Sequence, residues 1–295
     1  MSNVHVHMQV SLLRFAIISA LVVVTALIYL RGWLSLRSAF PSLIRGRRLA
    51  AFMSGLFLVW TTVGSPLARL DHQSLTIHML KHLLLMTVAA PLILAGAPVF
   101  PLVCGLPKLF IKSHLPFAGL PARWLERCID HPVLCWLAGT AAVLGWHLPV
   151  AFQLGMRSHW VHGLEDVSFL AAGLLFWLPI VHPSPIASRS PQWSIALYLF
   201  LATLPCDILS ALLVFCNRLV YPFYMSTPQL FSMGPLQDQE CAGALMWVWV
   251  TFAYLVPAVA ITVQILSPSN THSHGSMQAA PQTVPGGSLS GADVR

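Results

Sequence analysis

The sequence predicts an all-α fold, a polytopic bundle of membrane-spanning helices. Three observations carry that expectation. Hydrophobic residues make up 57% of the chain and Asp, Glu, Lys and Arg only 8%, where a soluble domain carries about 25% charged residues. Mean hydropathy is +0.74, which leaves too little polar surface to wet a soluble globule. Several apolar runs reach the ~18–20 residues that a helix needs to cross about 30 Å of hydrocarbon. A soluble enzyme, a disordered chain and a disulfide-stapled secreted domain are excluded on composition. A β-barrel is excluded because these runs are apolar on every side rather than alternating.

Seven spans are expected in order: Gln9–Leu30, Leu49–Leu67, Leu75–Gly96, His131–Phe152, Gly163–His182, Trp193–Cys216 and Cys241–Leu266. Each has to be helical, because lipid offers backbone N–H and C=O groups no partner. The first run lacks a basic segment before it and is followed by a basic loop, so it reads as a retained span rather than a cleaved signal. No internal repeat is visible. Residues 1–266 form the membrane domain, and 267–295, rich in Ser, Pro, Gly and Gln, read as a disordered tail. His272 and His274 in that tail read as solvated histidines, with a weak metal-binding alternative.

Lysine and arginine set the orientation. The segments after spans one, three, five and seven hold eleven of them, including Arg31, Arg45, Lys108, Arg127 and Arg189, against Arg69, Arg157 and Arg218 on the other side. The N-terminus is therefore expected outside and the C-terminus in the cytoplasm. The +7 net charge reports topology and contact with the anionic lipid bilayer; no nucleic-acid motif is present. Six cysteines form no CxxC pair. Cys216 and Cys241 read as buried apolar thiols, or alternatively as a disulfide.

Ionisable residues inside a bilayer are expensive and mark function by default. On this topology they gather at one depth. His78 and His82 lie in the first two turns of span three, and His147 near the outer end of span four. His162, Glu165 and Asp166 stand at the mouth of span five. Asp207 sits in the outer half of span six, and Asp238 just before span seven. His78 and His82, four apart, share a helix face and can ligate one metal. His162 and Asp166 have the same spacing, which makes the carboxylate a ligand or an acceptor fixing the imidazole tautomer. Lys81 is expected to snorkel outward. Asp207 is a ligand or a helix-packing hydrogen bond. The candidate metal set is thus His78, His82, His147, His162, Asp166, Asp207 and Asp238. Met79, Met156, Met225, Met233 and Met246 lie on the same side, as do His5, His7 and Met8, which favours copper over magnesium or calcium. Haem held between histidines of two helices is the alternative.

The run Ile77-His78-Met79-Leu80-Lys81-His82-Leu83-Leu84-Leu85-Met86, followed by Ala89-Ala90-Pro91-Leu92, resembles the signature of the CtaG-type cytochrome c oxidase assembly factors. Trp146-His147-Leu148-Pro149, the stretch from His162 to Phe169, Gly173-Leu174-Leu175-Phe176-Trp177, Tyr221-Pro222-Phe223-Tyr224, Asp238-Gln239, Gly243 and Met246-Trp247 match in the same order. The resemblance runs from about Arg45 to Leu266. It implies a seven-span bacterial plasma-membrane protein that assists assembly of a haem–copper oxidase, with His78, His82, His147, His162 and Asp238 as functional positions. The implied partners are cytochrome c oxidase subunits and a periplasmic copper donor. Two positions depart from the pattern: Asp166 stands where a second histidine is frequent, and Lys81 where a neutral amide is common. No nucleophile, phosphate loop or acid–base dyad is evident, so holding and handing over a metal is expected, rather than catalysis. A metal or proton channel and a polar-stapled scaffold are the remaining readings.

Overall fold

Proline placement explains much of how these helices run. In the computed structural model, which describes residues 2–39, 46–107, 131–181, 193–227, 230 and 232–267, every regular element among the described residues is helical. Helix α1 is Ser2–Ala39, and α2 is Gly46–Val59 with a wide π turn at Trp60–Gly64. A 3₁₀ segment, Pro66–His72, leads to α3, Leu75–Leu84, which passes through a second π turn at Leu85–Ala89 into α4, Ala90–Ala95. Short α5 is Val99–Gly105. Then come α6 (Pro132–Trp146), α7 (Pro149–Arg157), α8 (His159–Val181), α9 (Trp193–Phe215) and α10 (Pro235–Val250). A third π turn, Thr251–Leu255, joins α10 to α11, Val256–Leu266.

Each π turn ends two residues before a proline: Pro66, Pro91 and Pro257. A proline lacks its N–H and its ring crowds the carbonyl four residues back, so the upstream carbonyls seek donors one residue further along. In the second π turn the carbonyl of Met86 accepts instead from the indole Nε1–H of Trp177 on α8, at 3.0 Å. Helix α8 can come that close because residue 173 is glycine, where a Cβ would stand 2.8 Å from the Met86 carbonyl oxygen.

Among the described residues, five helices are long and apolar enough to cross a bilayer, and six if α6 and α7 count as one bent span. The expected span Leu49–Leu67 is helical through Gly64 but does not join them. The expected straight span His131–Phe152 is broken: α6 and α7 meet at 74°. Pro149 accounts for the break, because the residue before a proline leaves the helical region and Leu148 is extended, with ψ 131°.

The main core draws on α3, α6, α7, α8, α9 and α10, with Leu75, Phe152, Phe169, Phe176, Leu199 and Leu213 among its most buried side chains. A smaller cluster of Tyr29, Trp33 and Phe52 ties α1 to α2. Helix α3 packs on α10 and α8 on α4, so α3 is enclosed while α1 leaves most of its surface outward. The tail 268–295 with His272 and His274, the basic segment 108–127, His182, and the side chains of His5, His7 and Met8 lie outside the described residues.

Candidate metal centre

The centre is assembled where α3 and α8 begin, α6 ends and α10 begins. Asp238 of α10 supplies the cap of α3. Its carboxylate accepts from the Leu75 and Thr76 backbone N–H groups (2.6 and 3.2 Å) and from the hydroxyls of Ser74 and Thr76 (2.8 and 2.7 Å). These are N–H groups that a helix start leaves without partners, and the carboxylate also complements the positive end of the helix dipole. Next to it, Gln239 accepts from the Val220 N–H and donates to the Leu213 and Arg218 carbonyls. The loop so held carries Tyr221 and Tyr224, whose hydroxyls donate to the carbonyls of His147 (2.9 Å) and Asp71 (2.7 Å). Burial raises both phenols above their ordinary range, so they stay protonated as donors.

Within this frame the Nε2 atoms of His78 and His82 lie 3.0 Å apart, and Glu165 Oε1 lies 3.4 and 3.3 Å from them. The point equidistant from these three atoms is roughly 1.9 Å from each, close to the ~2.0–2.1 Å of zinc–imidazole bonds. Aromatic neighbours fix the rings: His82 stacks on Phe169 at 4.1 Å, and His78 meets Phe152 edge-on at 5.1 Å. Phe152 reaches the site because α7 folds back at the 74° bend. Gly155 on the same helix leaves room for Glu165, whose Oε2 would lie 3.0 Å from any Cβ there.

A second group adjoins the first. His162 turns Nδ1 to Glu165 Oε2 (3.1 Å) and Nε2 to Asp71 Oδ2 (2.9 Å). Lys81 Nζ lies 2.6 Å from Asp71 Oδ2, 2.9 Å from His162 Nε2 and 2.7 Å from Asp166 Oδ1. Asp71, outside the spans, would be raised by burial. The Lys81 ammonium, and after it His162, outweigh that and hold the carboxyl below its ordinary range. Two triads offer ligand atoms within 4.8 Å of one another: Asp71, His78 and His162, and His78, His82 and Glu165.

Asp71, Glu165 and Asp166 are all buried, and Lys81 is the one buried lysine or arginine among the described residues. Buried charge is strongly unfavourable unless it is paired. Lys81 stands between Asp71 and Asp166, and His162 between Asp71 and Glu165. A cavity of about 370 Å³ reaches Asp71, Lys81, His162 and Asp166, with His72, His159 and Arg69 on its wall. Burial lowers the His72 pKa, keeping that imidazole neutral along the approach.

The structure thus brings His78, His82 and His162 together. His147 sits just below, its Nε2 3.1 Å from Met79 Sδ. Asp238 stands at the cap of α3. Asp207 is separate: it lines neither cavity around the histidines, and its Oδ1 has no hydrogen-bond partner among the described residues. Lys81 does not snorkel; it is buried, because the carboxylates of Asp71 and Asp166 hold its ammonium at 2.6 and 2.7 Å. The acids that orient His162 are Glu165 and Asp71, and Asp166 is engaged with Lys81. Cys216 and Cys241 are free, half-buried and exposed respectively, neither bridged nor buried together. Sequence reasoning missed Asp71 altogether and left Glu165 outside the ligand set. Their signal was scarcity, since a chain with nine acidic residues rarely places one beside a histidine pair without use.

Fold and site define a multi-pass helical membrane protein with a buried histidine–carboxylate centre near one end. The chain matches the model of the cytochrome c oxidase caa3 assembly factor family (Caa3_CtaG) over residues 27–267 and belongs to that family. It is 25% identical over 256 residues to the uncharacterized proteins Mb0105 of Mycobacterium bovis and MT0111 of Mycobacterium tuberculosis, and 24% identical over 261 residues to ML1998 of Mycobacterium leprae. In each case the match covers 84% of this chain and 38% of the relative, so the chain spans about two fifths of the length of these relatives. No solved structure matches.

Proposed function

We propose that this protein is a bacterial plasma-membrane factor that holds copper near the outer face and passes it to a nascent haem–copper cytochrome c oxidase. The observation that carries the reading is the His78–His82–Glu165 triangle, buried among aromatic side chains with its three donor atoms facing one point. Imidazole nitrogens suit copper. Three donors leave a coordination position through which an incoming ligand can exchange, whereas a closed four-ligand site would release slowly. The chain crosses the membrane seven times in this reading, with Leu49–Leu67 as the second crossing and the N-terminus outside, so the cavity beside Lys81 and His162 opens outward. Copper is cargo here, received from a periplasmic donor and given to an oxidase subunit, and no bond-breaking catalysis is assigned.

Haem is less well supported. A clamp between two helices would need His147 or His162 opposite the α3 histidines, but both ring nitrogens of His162 face carboxylates and those of His147 face the Val143 carbonyl and Met79 Sδ. Translocation is also less well supported, because the main core beyond the centre is apolar. The test is to replace His78 by Ala and Glu165 by Gln in cells that depend on this chain for an oxidase. Copper-depleted oxidase, with haem content retained, is expected. A Soret band in the purified chain, or fully metallated oxidase in the variants, would overturn the reading.

A further inference from the structure

We propose a second metal site, a soft one for a monovalent ion of the Cu(I) type, built on His147 and Met79 and separate from the His78–His82–Glu165 triangle. His147 Nδ1 lies 2.6 Å from the Val143 carbonyl oxygen. A carbonyl only accepts, so Nδ1 carries the proton and donates it there. In the neutral ring Nε2 is then a bare lone pair, and it faces Met79 Sδ at 3.1 Å. A thioether has no proton to give. Two lone pairs confront each other with nothing between them, which is poor packing for a core but natural for two ligands of one soft cation. Protonating Nε2 instead would bury an imidazolium whose second donor finds only sulfur, an expensive arrangement.

The surroundings agree with this assignment. His147 and Met79 open onto a chamber of about 20 Å³, which Met86, Met246, Cys206 and His82 also line. That is room for a single water-sized occupant. Met79, His82 and Met86 face it together because positions i, i+3 and i+7 share a helix face. No carboxylate reaches its wall among the described residues. Thr87 and Tyr254 bring hydroxyls, and the Thr87 hydroxyl is engaged with Leu83 and Trp249; the remaining donors are thioether, thiol and imidazole, which favour Cu(I) over zinc or harder divalent ions. His82 belongs to both centres, since its ring lines this chamber while its Nε2 forms one corner of the triangle. If the triangle holds copper, as the proposed function requires, His82 is the ligand through which an ion changes site.

The two centres have different donors, so their tests separate. The full chain in detergent is titrated with Cu(I) under reducing conditions against a competing chelator, and sulfur ligation is read by X-ray absorption. The wild type should bind two equivalents and show copper–sulfur scattering. M79L with M246L should lose one equivalent and the sulfur signal, while H78A loses the other equivalent and keeps the sulfur signal. Leucine conserves methionine's volume, and thermal unfolding confirms that the variant is folded. A wild type whose single equivalent depends on Met79 and Met246 but not on His78 would keep this site and remove the triangle from the account. Unchanged stoichiometry and sulfur signal in M79L with M246L would overturn the proposal.

Discussion

Lys81 Nζ and Asp166 Oδ1 form a buried ion pair at 2.7 Å, and these are the two positions at which the chain departs from the family pattern. The two positions are therefore expected to be energetically coupled. A lone K81Q strips Asp71 and Asp166 of their shared ammonium and should destabilise the protein by about 3–5 kcal/mol. K81Q combined with D166H should recover most of that loss, because contacting residues are not additive. Thermal unfolding of the three variants in one detergent checks this, and an additive double variant would contradict it.

Asp238 distinguishes a structural carboxylate from a ligand. All its hydrogen bonds within the site go to the first turn of α3. D238A should lower stability by about 1–3 kcal/mol, with D238N intermediate because its amide oxygen still accepts. Copper stoichiometry should stay unchanged in D238N. Loss of copper from a folded D238N would make Asp238 a ligand after all.

Gly173 should tolerate no side chain. A Cβ would meet the Met86 carbonyl oxygen at 2.8 Å and its Cα at 2.9 Å, both backbone atoms that cannot rotate aside. G173A is expected to cost about 1–3 kcal/mol and to weaken the Trp177–Met86 hydrogen bond. A lowered unfolding temperature with a red-shifted tryptophan emission is the expected signature, and wild-type stability would contradict it.

The orientation is testable through native cysteines. Cys241, exposed near the start of α10, should react with a membrane-impermeant maleimide from outside whole cells. Cys104, exposed at the end of α5, should react only after the membrane is opened. The reverse pattern would invert the topology and place the centre on the cytoplasmic side.

Much of this was legible before any coordinates. Helices long enough to span are apolar on all sides, and that survives any detail of packing. His78, His82 and His162 meet because α3 and α8 run the same way and both begin at this end of the bundle. What was hidden depended on partners that only the folded chain brings near. Asp71 lies in a 3₁₀ segment outside the apolar runs, and only packing against α8 carries it to His162. Asp166 has the right spacing to orient His162, yet Lys81 from another helix takes it, and Glu165, one residue earlier, assumes that place. The bend at Leu148 was announced by Pro149 but was absorbed into a hydropathy window that does not register backbone geometry.

The central claim is that His78, His82 and Glu165 hold one metal ion between them. Elemental analysis of copper-exposed wild type beside H78A, H82A and E165Q, each shown to be folded, tests it most directly. The account predicts copper in the wild type, with one equivalent lost in H78A and E165Q and at least one lost in H82A, whose ring also serves the chamber. Undiminished copper in H78A and E165Q would contradict it, and would leave the triangle as a hydrogen-bonded cluster of two imidazoles and a carboxylate.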